Sequence, residues 1–88
     1  METRKLEKII KGVANHRRIQ ILELLNRKPN LSVSQISTEL KANFKTISEH
    51  IRRLTQSGLL IKKNMGPAVE HTVSKLGSHI LKFLRTLE

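Results

Sequence analysis

Cysteine, aspartate, tyrosine and tryptophan are absent from this sequence of 88 residues. Without cysteine there is no disulfide framework, no thiol redox switch and no thiolate metal ligand, which suits a reducing compartment. Each serine is explained by a helix cap or a polar helix face, so no nucleophile has an evident base and orienting group. We therefore expect a protein that is not an enzyme and that has no cofactor.

Long apolar runs are also missing. No run approaches the ~20 residues that span a bilayer, and Arg4, Lys5, Lys8 and Lys11 interrupt the apolar residues near the N-terminus. This pattern excludes a secretory signal of the usual kind. We therefore expect a cytoplasmic protein without a membrane partner.

Positive charge, in contrast, is plentiful. Seventeen Lys and Arg residues stand against seven Glu residues, which gives a formal net charge of +10. Such a surplus favours a polyanionic partner, although solubility alone or a membrane-surface role would also account for it. Because Phe44 and Phe83 are the only Phe, Tyr or Trp residues, stacking platforms for single-stranded nucleic acid are lacking and a duplex is the favoured partner.

The chain length predicts a single domain over residues 1–88. Apolar residues at helical spacing predict a first helix ending near Ala14, a second helix capped by Asn15, and a last helix capped by Ser74. Between them, Ser32 and Gln35 stand in the relation of a capping box and predict the start of a third helix.

A fourth helix is predicted to start at Asn43 and to end at Gly58 in a left-handed C-cap. The period then changes to the alternation of a two-stranded hairpin, with a tight basic tip at residues 64–67. This order predicts a mainly α fold with a small β-hairpin. It is a winged helix-turn-helix with four helices, a two-stranded wing and a C-terminal helix.

Several stretches of the sequence resemble the arsenic-repressor (ArsR-like) family of winged helix regulators. These are residues 15–25 (NHRRIQILELL), residues 34–40 (SQISTEL), and above all residues 46–54 (TISEHIRRL) followed by SGLL at 57–60. Residues 72–77 also resemble the multiple-antibiotic-resistance-type regulators, so that grouping stays open.

The resemblance implies a homodimer formed by the first and last helices, which binds a palindromic operator and represses transcription until a signal releases it. The signal is unknown, and the family's cysteine metal site cannot be present in this chain. The expected dimer interface consists of Leu6, Ile9, Ile10, Val13, Ile80, Phe83, Leu84 and Leu87.

The fourth helix is the predicted DNA-recognition helix. Lys45, Thr46 and Glu49 are predicted to lie nearest the base edges, since Lys donates to guanine, Thr offers a methyl group to thymine, and Glu accepts from cytosine. The amides after Asn43, at the positive end of the helix, suit a phosphate. Further predicted contacts to phosphates or bases are Ser48, His50, Arg52 and Arg53, with Ser48 and His50 favoured by the resemblance. Alternatively, Glu49 is merely solvated, Ser48 faces the helix interior and His50 is a packed neutral imidazole.

Two basic groups outside this helix complete the predicted DNA surface. Arg17 and Arg18 open the second helix, where cations oppose the helix dipole and a phosphate would remove the conflict. In the wing, the predicted contacts to backbone or minor groove are Lys62, Lys63 and Asn64. Solvated charge that prevents edge-to-edge pairing is the alternative for these lysines.

The histidines raise the question of a metal site, chiefly His71 and His79 with Glu70 or Glu88. Their spacing is not that of a recognised ligand set, so no metal is predicted. The leading functional hypothesis is therefore a dimeric, sequence-specific DNA-binding repressor. An architectural or protein-interaction winged helix with non-specific nucleic-acid binding is the alternative, and an RNA-binding winged helix is a third.

Overall fold

The computed structural model describes residues 2–88. Five helices and one antiparallel hairpin follow in the predicted order, which is the winged helix-turn-helix arrangement. The elements are α1 (Thr3–Val13), α2 (His16–Arg27), α3 (Val33–Leu40), α4 (Phe44–Gln56), β1 (Leu60–Met65), β2 (Ala68–Val73) and α5 (Lys75–Arg85).

The predicted caps determine the helix boundaries. Each cap side chain accepts a hydrogen bond from a backbone amide of its own first turn, as local sequence chemistry requires. These caps are Asn15, Ser32, Asn43 and Ser74. Gln35 completes the capping box by accepting from the Ser32 amide at 2.9 Å. Gly58 has a φ of 79°, which confirms the predicted left-handed end of α4.

The wing is longer and more regular than predicted. Asn64 and Met65, expected in the tip, belong to β1 and pair with Val69 and Ala68. The turn therefore contains only Gly66 and Pro67. Gly66 has a φ of 64°, which matches the first position of a type II′ turn, so the hairpin keeps its twist up to the tip.

The core lies where α2, α3 and α4 meet the base of the wing. Ile21, Leu22, Ile36, Ile47 and Leu54 are fully buried there. The last helix reaches this core closely, because a Cβ added at Gly77 would lie 2.3 Å from the carbonyl oxygen of Leu59. Only glycine allows α5 to pack at this distance from the start of the wing.

Most residues of α1 are exposed, whereas about half of those of α5 are. Val13 is 5% exposed and belongs to the core, so its assignment to a dimer interface was wrong. It lies at the end of α1, where the chain turns into α2 and the side chain is enclosed. Ile9, Ile80 and Leu84 are partly buried against the core. The remaining four predicted interface residues are exposed, namely Leu6, Ile10, Phe83 and Leu87.

Candidate nucleic-acid interface

The first turns of α4 project from the protein as a recognition helix should. Only three residues, 41–43, separate α3 from α4, and Lys41 bridges them in a left-handed conformation with a φ of 52°. Asn43 then accepts from the Thr46 amide at 3.1 Å. Lys45 and Thr46 are exposed beside Phe44, whose side chain is 56% exposed and was not among the predicted contacts.

An acidic side chain organises the middle of α4. Glu49 accepts from Arg52 at 2.5 and 3.1 Å, and from Nε of Arg53 at 3.2 Å. These hydrogen bonds lower the pKa of the Glu49 carboxyl and raise the pKa of Arg52, so the cluster stays fully charged. Glu49 is therefore bound to two arginines of its own helix, a role that the sequence analysis did not predict.

Arg18 and His50 meet behind the recognition helix. Nε of Arg18 donates to Nδ1 of His50 at 3.1 Å, and Nη1 donates to the carbonyls of Lys11 and Gly12 at the end of α1. Those carbonyls give Nη1 of Arg18 partners within the fold, so the position of Arg18 on α2 does not by itself require a phosphate. Burial lowers the pKa of His50, with the Arg18 charge adding to the effect.

Arg17 differs from its neighbour. Its Nη1 donates to Gln20 at 3.1 Å on the surface of α2. No other side-chain hydrogen bond of Arg17 is present among residues 2–88, so its charge is still available to a phosphate.

A cleft separates α4 from the wing. We call it the helix–wing cleft; it is open to solvent and has a volume of about 340 Å³. Its lining consists of Val33, Ser48, Ile51, Arg52, Thr55, Gln56, Lys62, Val69 and His71. Ser48, Arg52 and Lys62 were predicted to contact DNA, whereas Thr55 and Gln56 were not among the predicted contacts. Their spacing of three and four residues from Arg52 places them on the same helix face and was a usable signal.

The two wing lysines lie on opposite faces of the hairpin. Lys62 pairs with His71 and Lys63 pairs with Glu70. Residues directly opposite in a ladder share a face, and successive residues alternate. Lys62 therefore projects with His71 into the helix–wing cleft, and Lys63 projects away from it.

His71 is a core residue of the wing and is 4% exposed. Its Nδ1 lies 3.2 Å from the carbonyl oxygen of Leu31, so the neutral ring carries its proton on Nδ1. Burial lowers the pKa of His71. His79 is exposed on α5, and within residues 2–88 no three histidine or glutamate side chains gather as a metal site.

The longest helix, α4, has 13 residues. Over the part of the chain that the structure describes, no helix has both the length and the apolar character to cross a membrane.

Solved structures of similar fold cover nearly the whole chain. HlyU from Vibrio cholerae matches with a TM-score of 0.82 at 30% identity, over 99% of this chain and 97% of that one. The transcriptional repressor PagR of Bacillus anthracis matches with a TM-score of 0.77 at 27% identity, over 94% and 99% of the two chains. A homodimeric winged helix-turn-helix DNA-binding domain from Mycobacterium bovis, a possible ArsR-family regulator, has a TM-score of 0.85 at 24% identity, over 94% and 77%.

No curated protein sequence matches the chain. The family described as "Bacterial regulatory protein, arsR family" matches residues 15–62, from the cap of α2 to the first half of the wing. Family and fold are those of DNA-binding domains of transcription regulators, not of enzymes. The chain belongs to the ArsR family of bacterial regulatory proteins.

Proposed function

We propose that this protein is a homodimeric repressor that binds specific palindromic sites in double-stranded DNA. The observation that carries the proposal is the two-sided character of α4. Ile47, Ile51 and Leu54 anchor one face in the core, while Lys45 and Thr46 stand exposed on the first turn. A helix of 13 residues, about 20 Å long, fits the major groove when its N-terminal turns lead.

The exposed side chains divide between base reading and backbone contact. Lys45 and Thr46 are the proposed readers, since both lie on the leading turn and the structure shows no side-chain partner for either among residues 2–88. The proposed backbone contacts are Arg17, the amides after Asn43, Ser48, Arg52, Arg53, Lys62, Lys63 and Asn64. Glu49 acts mainly by holding the two arginines, and His50 acts through Arg18 rather than on DNA.

The terminal helices supply the proposed dimer interface. Phe83 on α5 is 55% exposed and Leu87, which follows the end of α5, is 66% exposed, while Leu6 and Ile10 on α1 are 47% and 53% exposed. Apolar side chains of this size favour burial against another surface. The homodimeric state of the similar domain from Mycobacterium bovis supports a second copy as that surface. Two recognition helices would then lie about 34 Å apart, one turn of DNA.

Repression is the proposed outcome of binding. PagR of Bacillus anthracis, which has the same fold, is a transcriptional repressor. We propose that the protein works in the cytoplasm, where bacterial DNA is located, and that bound protein blocks transcription from the promoter that it covers.

Selection of bound duplexes from a random library tests the proposal. We expect a palindrome that binds about a thousandfold more tightly than a scrambled control at equal salt. Equal, strongly salt-dependent binding to both duplexes would contradict sequence-specific function and favour the architectural alternative.

Variants of the exposed lysines sharpen this test. Lys45→Ala should weaken binding to the selected site by about 10- to 100-fold and relax the preference at one base pair. Lys82→Ala, which removes an exposed lysine from α5, is the matched control and should leave the base preference unchanged. Equal base preference in both variants would exclude Lys45 as a reader.

A further inference from the structure

Phe44 is an apolar side chain at the leading end of the recognition helix. It is the first residue of α4, directly after the cap Asn43, and it is 56% exposed. Within residues 2–88 it belongs neither to the buried core nor to the apolar residues packed against that core. A single exposed apolar residue is ordinary on a protein surface, so what distinguishes Phe44 is the place where it lies.

The surroundings of Phe44 are positively charged. Lys41 and Lys45 are exposed on either side of it along the chain, and the amides after Asn43 form the positive end of α4. A partner that covers Phe44 therefore has to be anionic and has to offer an apolar spot. A second copy of the chain does not meet this condition, since its net charge of +10 would bring cations towards cations.

The major groove of DNA meets the condition at one kind of base. Phosphates along the groove supply the negative charge. Thymine presents its C5-methyl group in the groove, where the other contact points of the base pairs are hydrogen-bond donors and acceptors. Apolar side chains, phenylalanine among them, recognise thymine through this methyl group.

Helix geometry separates Phe44 from the proposed polar reader Thr46. In a helix the Cα–Cβ bonds tilt towards the N-terminus, so the side chain of a first residue extends from the leading end. Thr46 also carries a methyl group, but two residues along a helix are about 200° apart around its axis. Phe44 and Thr46 therefore face different sides of the groove and cannot share one thymine.

We propose that Phe44 determines specificity by packing on the C5-methyl group of a thymine in each half of the DNA site. This inference rests on the proposed sequence-specific DNA binding. It adds one base, and one atom of that base, which hydrogen bonds from Lys45 and Thr46 do not distinguish. The half-site is accordingly expected to contain a thymine within the segment of major groove that α4 occupies.

Uracil is the probe for this contact, because it differs from thymine only in lacking the C5-methyl group. Each thymine of the selected palindrome is replaced by uracil in turn, in both half-sites together, which keeps every hydrogen-bonding group of the base pair. The wild-type protein should lose about fourfold in affinity per half-site at one of these positions, as expected when the burial of one methyl group is lost.

Variants of the leading turn assign the methyl contact to one side chain. Phe44→Ala should bind the selected duplex at least about tenfold more weakly and show no further loss at the sensitive uracil, as contacting groups do in double-mutant cycles. Thr46→Ser, the matched control, removes a methyl group but keeps the hydroxyl, and should retain the wild-type loss at that uracil. Both substitutions are on exposed side chains, and circular dichroism checks that the two variants fold alike.

The possible outcomes separate this inference from the proposed function. If the wild type selects a palindrome but loses no affinity at any uracil, or if Phe44→Ala keeps the wild-type loss, Phe44 does not read thymine and sequence-specific binding stands. A selected half-site without thymine overturns the inference in the same way. If the wild type prefers no duplex, the proposed function fails and the role of Phe44 fails with it.

Discussion

Arg18 and His50, which are 32 positions apart in the sequence, are joined by a hydrogen bond of 3.1 Å from Nε to Nδ1. The same guanidinium donates to the carbonyls of Lys11 and Gly12 at 3.2 and 3.3 Å. One side chain at the start of α2 therefore connects the end of α1 to the recognition helix. Because α1 belongs to the proposed dimer interface, this link bears on how the two recognition helices are oriented.

Replacing Arg18 should weaken the fold measurably. In Arg18→Gln the carbonyls at the end of α1 and the ring of His50 lose a charged donor in a partly buried place. Removal of such bonds costs about 1–3 kcal/mol of unfolding free energy, which urea denaturation measures. Arg17→Gln loses only a surface bond to Gln20 and should change stability by less than about 0.5 kcal/mol. Equal effects of the two substitutions would show that the Arg18 link contributes nothing.

The sequence predicted the features that depend on nearby residues. Each helix cap bonds to an amide within three residues of itself, so it could be predicted from the local sequence. These caps are Asn15, Ser32, Asn43 and Ser74. The resemblance carried by residues 46–60 led to the ArsR family, which the family match over residues 15–62 confirmed.

The sequence did not predict the features that depend on residues distant along the chain. Val13 continues the apolar stripe of α1, and nothing local distinguishes it from Ile10, yet one is 5% and the other 53% exposed. His71 is polar and alternates with apolar residues, but it is the buried member of β2 because Leu31 supplies a carbonyl partner. The sequence predicted a phosphate contact for Arg18. Its partners within the protein, the carbonyls at the end of α1, become known only from the fold.

A close approach between α1 and the end of α4 provides a second stability test. A Cβ added at Gly12 would lie 2.2 Å from Oγ and 2.6 Å from Cβ of Ser57. Gly12→Ala should therefore lower the unfolding free energy by about 1–3 kcal/mol through overpacking, although alanine is the better helix former.

A compensating substitution separates this clash from other effects. Ser57→Gly removes both atoms that the new methyl group would meet. In the double variant we expect the two changes to be non-additive, with part of the Gly12→Ala loss recovered, as contacting pairs show in double-mutant cycles. If the changes in unfolding free energy measured by urea denaturation are simply additive, Gly12 and Ser57 do not contact each other.

Acid should destabilise the protein through its buried histidine. Burial lowers the pKa of His71 from its usual 6.5 in the folded state, so the unfolded chain takes up the proton first as pH falls. The unfolding free energy is therefore expected to be greatest above about pH 6.5 and to decrease below it, towards the lower pKa of the folded state. His50, whose pKa is also lowered, contributes in the same direction.

Histidine variants assign that pH dependence. His71→Gln should reduce the slope of unfolding free energy against pH below pH 6.5, leaving the part due to His50. His79→Gln changes an exposed residue of α5 and should keep the wild-type slope. The slope is the informative quantity because His71→Gln also loses a packed ring and lowers stability at every pH. A His71 variant with the wild-type slope would show that this ring is not the titrating group.

The proposed dimer interface is open to a direct test on exposed side chains. Ile10→Glu together with Phe83→Glu places charges on α1 and α5, and a twofold axis doubles each change in the dimer. Since burial of one such apolar side chain contributes about 1.5–3 kcal/mol, we expect the dimer dissociation constant to rise by at least about a hundredfold. Sedimentation equilibrium would show a shift to monomer, while circular dichroism should show unchanged helix content because neither side chain belongs to the core.

Ile61→Glu, on a side chain 46% exposed in the wing, controls for added charge and should leave the dimer intact. If the α1 and α5 variant remained a dimer, the second copy would have to bind a different face, and the predicted spacing of about 34 Å between recognition helices would lose its basis.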